Sequence, residues 1–109
     1  MIIRPKTFYY HFKRDPEQGI NHGAYYVLGL GMNTEKRDQH FVVLKPLYYC
    51  NPRHIDEQGI SYQIRPIAFF DSSIQRDEYC GPRFVEITNP AIISELKKHE
   101  LFHSDYLDE

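Results

Sequence analysis

Apolar and polar residues alternate with a period of two through much of the first 88 residues, and this alternation restricts the chain to folds built from strands. In the first such stretch, Phe8, Tyr10 and Phe12 alternate with a second set of side chains, which predicts a strand with two different faces. Residues 24–30 and 41–49 are apolar runs of strand length that are rich in valine and tyrosine. Residues 61–70 alternate again, and residues 83–88 are a short fifth candidate.

The segments between these strands are rich in turn-forming residues, which favours short connections over helical crossovers. They cover residues 15–23, 33–39, 51–59 and 71–82. Pro66 cannot donate a ladder hydrogen bond, so its strand should lie at a sheet edge or bulge there. The Gly29-Leu30-Gly31 segment predicts a bulge or a strand end. Five short strands joined in this way predict a mainly β fold, either a small barrel or a sandwich.

The last segment of the chain changes its period. Asn89 can cap a helix, and Pro90 suits the first position of that helix. Ile92, Ile93 and Leu96 then form the apolar stripe of an amphipathic helix. We therefore predict a single domain over residues 1–109, with a β-barrel over 8–88, a C-terminal helix over 89–103 and an acidic tail over 104–109.

One pattern in this helix matches a metal-binding motif. Residues 99–103 have the H-E-x-x-H spacing, in which two imidazoles one helical turn apart hold zinc and the glutamate activates a water. Zinc peptidases also need a third ligand, and six residues follow His103 while no second histidine cluster precedes the motif. Both histidines share the side of Ile92 and Leu96, so we expect a helix that docks on the barrel and no peptidase, while adventitious metal binding by the two histidines stays open.

Charge and cysteine content limit the classes of partner. The chain has 13 basic and 15 acidic side chains, and its net charge of −2 disfavours a protein that holds nucleic acid by bulk charge. No apolar run approaches the ~20 residues of a membrane span, and we expect no signal peptide at the amino end. Cys50 and Cys80 lack a metal-binding spacing and predict reduced thiols in a cytoplasmic protein.

Aromatic side chains are abundant, with 9 tyrosines and 7 phenylalanines, and they favour a binding surface. Tyr9, His11 and Lys13 fall on one face of the first strand. They lie within residues 4–14, a segment that carries basic side chains and no acidic one. Aromatic rings that stack and cations that meet phosphate are the chemistry of nucleotide and single-strand binders. The same side chains also suit an ordinary sheet surface.

Seven short pieces of the sequence occur in an order that is typical of one known family. The pieces are Y-x-H-[FY]-K at 9–13, Y-x-V-[LI]-G at 25–29, T-E at 34–35, V-V at 42–43, L-Y at 47–48, R-P-x-x-[MF]-F at 65–70 and P-R-F at 82–84. Over roughly residues 8–86 the chain thus resembles the bacterial family called domain of unknown function 1653. The resemblance implies an SH3-like β-barrel and no particular activity.

The chain departs from the family pattern at several places. It is longer between the first two strands, over residues 14–23. Asn33 stands where the family often has histidine, Leu44 where it often has tyrosine, and Asp71 where it has glutamate. A family site built on positions 33 and 44 would therefore be altered in this chain.

We expect a non-catalytic, cytoplasmic binding module that takes a small anionic or nucleotide-like ligand, or a protein partner, without a cofactor, a metal or a membrane. Its ligand-binding residues would be Tyr9, His11, Lys13, Tyr25, Tyr48 and Arg65. The tyrosines would stack or use their hydroxyls, Lys13 and Arg65 would hold the anion, and His11 could change charge near neutral pH. Two other classes stay open: a small metal-dependent hydrolase that uses Glu35 or Glu100, and a scaffold or assembly subunit without a ligand.

Overall fold

A computed structural model describes residues 3–48, 55–56, 59–60, 62–76 and 78–103. At its centre is an antiparallel sheet of five strands, which in spatial order are β6 (Gln63–Pro66), β3 (His40–Pro46), β2 (Ala24–Met32), β1 (Phe8–His11) and β9 (Phe84–Ile87). Two small hairpins lie outside this sheet: β4 (Ile55–Asp56) with β5 (Gly59–Ile60), and β7 (Ser73–Arg76) with β8 (Tyr79–Pro82). The helical elements are a 3₁₀-helix (Pro16–Gln18), α1 (Ile67–Phe70), α2 (Pro90–Lys97) and α3 (Glu100–His103).

The five predicted strand segments supply the five strands of the central sheet. Pro66 is the last residue of the edge strand β6, which confirms that this proline lies at an edge. The pairing register of β2 and β3 shifts between Val27 and Gly29, so the predicted irregularity at this glycine is a β-bulge. The backbone preferences of proline and glycine therefore predict the sheet edge and the bulge correctly.

Four stretches differ from the prediction, and the first is the connection predicted over 51–59, where β4 pairs with β5. The strand predicted over residues 61–70 ends at Pro66, which cannot continue the ladder, and α1 follows and buries Phe70. The connection predicted over 71–82 holds the hairpin of β7 and β8. The single helix predicted over 89–103 is divided into α2 and α3. The predicted tail over 104–109 lies outside the described residues.

The central sheet curls until its two edge strands face each other. Arg65 on β6 and Phe84 on β9 belong to opposite edges, yet the guanidinium carbon of Arg65 is 5.2 Å from the centre of the Phe84 ring. A flat sheet of five strands would separate its edge strands by roughly 19 Å, at about 4.8 Å for each neighbouring pair. The chain therefore has the predicted mainly β fold, a small barrel-like sheet with a C-terminal helix.

The concave side of the sheet holds the main core. Directly paired residues share a side of a sheet, and three pairs define this one: Tyr9 with Tyr25, His11 with Phe84, and Val42 with Arg65. The buried core residues come from four strands, from α1 and from the segment before β1. They are Ile3, Tyr9, Tyr25, Val27, Val42, Leu44, Phe70 and Phe84.

The convex side packs against the two C-terminal helices. The side chain of Asn89 caps α2, as predicted, by accepting a backbone N–H of its first turn at 2.9 Å. Leu96 of α2 is fully buried in a second core that includes Phe8 of β1. Nζ of Lys45 donates to the carbonyl of Phe102 at 2.8 Å and ties α3 to β3. None of the described helices is long and apolar enough to cross a membrane.

Candidate functional site

The three tyrosines predicted to bind a ligand belong to the core on the concave side or border it. Tyr9 is 0% exposed and packs against Phe70, with 5.0 Å between the ring centres. Tyr25 is 3% exposed, and its hydroxyl lies 2.9 Å from that of the partly buried Tyr48. Burial also raises the pKa of the Tyr9 hydroxyl. A ring without exposed surface has no face to offer a ligand, so the predicted stacking role does not hold for Tyr9 and Tyr25.

Arg65 reaches from β6 to two aromatic rings. Its guanidinium carbon lies 5.2 Å from the centre of the Phe84 ring and 5.9 Å from that of Phe69. Nε of Arg65 is buried and has no hydrogen-bond partner among the described residues. Nη2 reaches Oε1 of Gln63 only at the long distance of 3.5 Å. The rings therefore hold the cation in position, while its N–H groups find little acceptor capacity in the described part of the chain.

His11 ends β1 and meets the Phe84 ring edge-on, with 5.0 Å between the ring centres. Nδ1 of His11 accepts a hydrogen bond from the backbone N–H of Lys13 at 3.1 Å, so the proton of the neutral ring lies on Nε2. Partial burial is the main cause that lowers the pKa of His11 to about 4, and three cations add to it: Arg65, Lys13 and Arg83. His11 is therefore neutral at pH 7, which corrects the expectation that it changes charge there.

Two residues that were not among the predicted ligand-binding residues also belong to the site. Arg83 lies just before β9, and its Nε donates to Oγ of Ser72 at 2.9 Å. Phe69 is 40% exposed, and its ring centre lies 4.3 Å from the guanidinium carbon of Arg83 and 5.9 Å from that of Arg65. Both residues occur in the family-like pieces R-P-x-x-[MF]-F and P-R-F. Those pieces were the signal that could have indicated them.

We call the four basic side chains at this place the His11 cluster: His11, Lys13, Arg65 and Arg83. The side chain of Lys13 is exposed, and its Nζ lies 5.8 Å from the centre of the Phe12 ring. Within the described ranges, none of the three cations of the cluster forms an ion pair with a carboxylate. Neighbouring positive charges without a counter-ion create a positive potential, which attracts anions.

A cavity of about 400 Å³ adjoins the His11 cluster at Lys13. Two of its walls are the rings of Phe12 and Tyr79, which stack with 5.4 Å between their centres. Arg76 and Glu78 complete its lining. Lys13 therefore connects the cationic cluster with an aromatic-walled space.

Another cavity, of about 380 Å³, contains none of the predicted ligand-binding residues and is lined by Asp38, Gln39, His40, Phe41, Pro66, Ile67 and Ala68.

The H-E-x-x-H segment does not present two free imidazoles. Nδ1 of His99 accepts a hydrogen bond from the backbone N–H of Leu101 at 3.1 Å, and its Nε2 lies 3.1 Å from Nδ2 of Asn21. His99 lies at the break between α2 and α3, whereas His103 ends α3 and is exposed. In the part of the chain that the structure describes, no group of three or more His, Cys, Asp or Glu could hold a metal ion. The two acids considered for a hydrolase are exposed: Glu35 and Glu100.

Comparison with known proteins leaves the site to be judged on its own geometry. No protein-family model, no curated protein and no solved structure matches the chain. The resemblance carried by the seven sequence pieces therefore stays a prediction. The cationic cluster, in contrast, rests on the contacts described above.

Proposed function

We propose that the protein is a small, non-catalytic binding module whose ligand presents an anionic group to the His11 cluster. The observation that carries the proposal is the state of Arg65, whose buried Nε has no acceptor among the described residues. An unpartnered buried N–H destabilises a fold by about 1–3 kcal/mol. Such groups are rare in folded proteins, and one explanation for them is a role at a functional site. Nε itself is enclosed, so an anion would meet the other N–H groups at the half-buried end of Arg65 and would compensate the charge that the described residues leave unpaired.

The aromatic surroundings of the cluster support the same proposal. Phe84 is fully buried beneath Arg65 and His11, and Phe69 flanks the guanidinium groups of Arg65 and Arg83. Rings on one side of a cation exclude water from that side, which lowers the local dielectric and strengthens the attraction to an anion on the other side. They also restrict the side chains, so less conformational entropy is lost when the ligand binds.

We further propose that the ligand is a small molecule and that the module works in the cytoplasm. The net charge of −2 favours a small anion over a nucleic acid, which requires a large positive surface. Cys80 is an exposed free thiol, which suits a reducing compartment.

Titration with sodium sulfate, followed by the ¹⁵N NMR signals of the protein, tests the proposal. We expect saturable shifts that concentrate at His11, Lys13 and Arg83 and at the Nε–H group of Arg65. Arg83→Gln should weaken binding about tenfold or more, because it removes a charged hydrogen-bond donor that is typically worth about 1.5–3 kcal/mol. Sodium chloride at equal ionic strength separates specific binding from screening.

A matched control for this experiment is Arg37→Gln. Arg37 is exposed in the loop between β2 and β3, so its replacement removes the same charge from a residue outside the cluster. We expect sulfate affinity to remain that of the wild type. The proposal fails if sulfate produces no saturable shifts, or if Arg37→Gln and Arg83→Gln weaken binding equally. Arg65→Lys, which keeps the charge and loses the planar donor fork, should weaken binding without unfolding the protein.

A further inference from the structure

The polar groups that the His11 cluster can offer a ligand are all hydrogen-bond donors. The backbone N–H of Lys13 occupies Nδ1 of His11, so the other ring nitrogen, Nε2, carries a proton and donates. The guanidinium groups of Arg65 and Arg83 and the ammonium group of Lys13 have N–H bonds and no lone pair that can accept. A ligand at this place therefore meets donors from three segments of the chain: the end of β1 with the residues after it, β6, and the residue before β9.

The side-chain acceptors that contact the two guanidinium groups face groups of the protein itself. Oγ of Ser72 accepts from Nε of Arg83 at 2.9 Å and donates its own proton to the carbonyl of Phe69 at 2.6 Å. Oε1 of Gln63 faces Nη2 of Arg65. No carboxylate of the described residues pairs with the cations of the cluster. A ligand that carries its own O–H would therefore bring a donor to a site made of donors.

We propose that the His11 cluster selects a fully deprotonated oxoanion of charge −2, such as the terminal group of a phosphate monoester, over the same group with one proton and over a phosphodiester. This inference rests on the proposed anion-binding function and adds the class of its ligand. A monoester dianion presents three terminal oxygens that all accept. Its monoprotonated form turns one oxygen into a donor, and a diester replaces one of them with an ester linkage and lowers the charge to −1.

The test compares methyl phosphate with inorganic sulfate as a function of pH. A phosphate monoester has its second pKa near 6, so methyl phosphate passes from dianion to monoanion between about pH 7.5 and pH 5 while sulfate stays a dianion. Sulfate reports the changes in the protein that act alike on both anions, including protonation of His11, and these changes cancel in the ratio of the two dissociation constants. We expect the affinity of methyl phosphate relative to sulfate to fall about tenfold over this range.

Dimethyl phosphate provides the second arm, because it keeps one negative charge at every pH used. We expect it to bind at least tenfold more weakly than methyl phosphate at pH 7.5. A methyl phosphate to sulfate ratio that does not change with pH, or a dimethyl phosphate affinity equal to that of methyl phosphate, overturns the inference and leaves the anion-binding function intact. Absence of binding by both sulfate and methyl phosphate at pH 7.5 overturns the proposed function itself.

A third arm distinguishes the carriers of such a group. The cavity beside Lys13 has the rings of Phe12 and Tyr79 as walls, and aromatic walls favour a base over a peptide backbone. We expect adenosine 5′-monophosphate to bind more tightly than methyl phosphate, and Tyr79→Ala to remove that gain. Equal affinities of the two would support selection of the phosphate group alone. A gain shown by a phosphoserine peptide and absent for the nucleotide would assign the dianion to a modified protein.

Discussion

At the scale of single residues, position along the strand decides what a side chain on the concave face can do. Tyr9 and His11 are two residues apart on β1 and share that face. Tyr9 lies in the middle of the sheet and is enclosed, whereas His11 is the last residue of the strand and is only half-buried. The ring of Tyr9 therefore contributes to stability, and the ring of His11 remains near solvent and near the cations.

The lowered pKa of His11 makes the stability of the protein depend on pH. Its folded value of about 4 lies below the ordinary 6.5, so the unfolded chain binds a proton more readily in this window. Stability should therefore decrease as the pH falls from about 6.5 to about 4. We expect the melting temperature of the wild type to fall in this window more steeply than that of His11→Gln.

Thermal melts of the two proteins at matched ionic strength provide the measurement. Asp15 also has a lowered pKa, because its carboxylate accepts hydrogen bonds from the Glu17 backbone and from Gln18. The stability that this carboxylate contributes to the protein is also lost in acid. Its contribution is common to both proteins and cancels in the comparison. Parallel curves for wild type and His11→Gln would show that His11 keeps its ordinary pKa in the fold.

At the scale of the element, capping overrides the helical periodicity of the last segment. A continuous helix would place His99 and His103 on the side of Leu96, yet α2 ends at Lys97 and α3 begins at Glu100. Between them, His99 uses Nδ1 to accept the backbone N–H of Leu101, which is the hydrogen bond of a helix cap. The break turns α3 so that Leu101 is buried. His99 and His103 consequently differ in role, although their spacing suggested a matched pair.

This difference predicts unequal effects of two similar substitutions. We expect His99→Ala to lower the free energy of unfolding by about 1–2 kcal/mol, because the Leu101 N–H loses its cap. His103→Ala should change it by less than about 0.5 kcal/mol, because His103 is exposed. Urea denaturation monitored by circular dichroism measures both. A zinc-dependent rise in melting temperature that disappears in each variant would contradict this account and indicate a shared metal ion.

At the scale of the whole molecule, one sheet serves two cores. Tyr9 lies in the core on the concave side, while its neighbour Phe8 packs with Leu96 of α2 on the convex side. Consecutive residues of β1 point into different cores. A loss of packing in one core therefore also loosens the strand that lines the other core. The C-terminal helices should therefore unfold together with the barrel.

Leu96→Ala tests this coupling. Leu96 is 0% exposed, and truncation of a buried leucine to alanine destabilises a protein by about 2–5 kcal/mol. We expect the far-ultraviolet signal and the near-ultraviolet tyrosine signal to shift together to lower denaturant concentration. Ser94→Ala, on the exposed side of the same helix, should shift neither by more than about 0.5 kcal/mol. Two separate transitions would show that the helices form an independent unit.

The sequence by itself determined the features that depend on neighbouring residues. Alternating side chains and short apolar runs predicted the five strands of the sheet, Pro66 marked its edge, and the glycines after Val27 marked the bulge. Asn89 and Pro90 predicted where α2 begins. All of these follow from the backbone preferences and hydrogen-bonding needs of a few consecutive residues, which are the same in any fold.

Only the tertiary structure decided which of these residues form a site. Arg65 is 18 positions before Arg83, and they come together at Phe69 because the sheet curls and brings β6 towards β9. Burial of Tyr9 and the neutral state of His11 depend on the same curl, since both result in large part from residues that are distant along the chain, such as Phe70 for Tyr9 and Arg65 for His11. Periodicity indicates which face of the sheet a side chain occupies. The burial of that side chain and the electrostatic potential at it depend on residues that are distant in sequence, so they are set only when the two edges of the sheet come together.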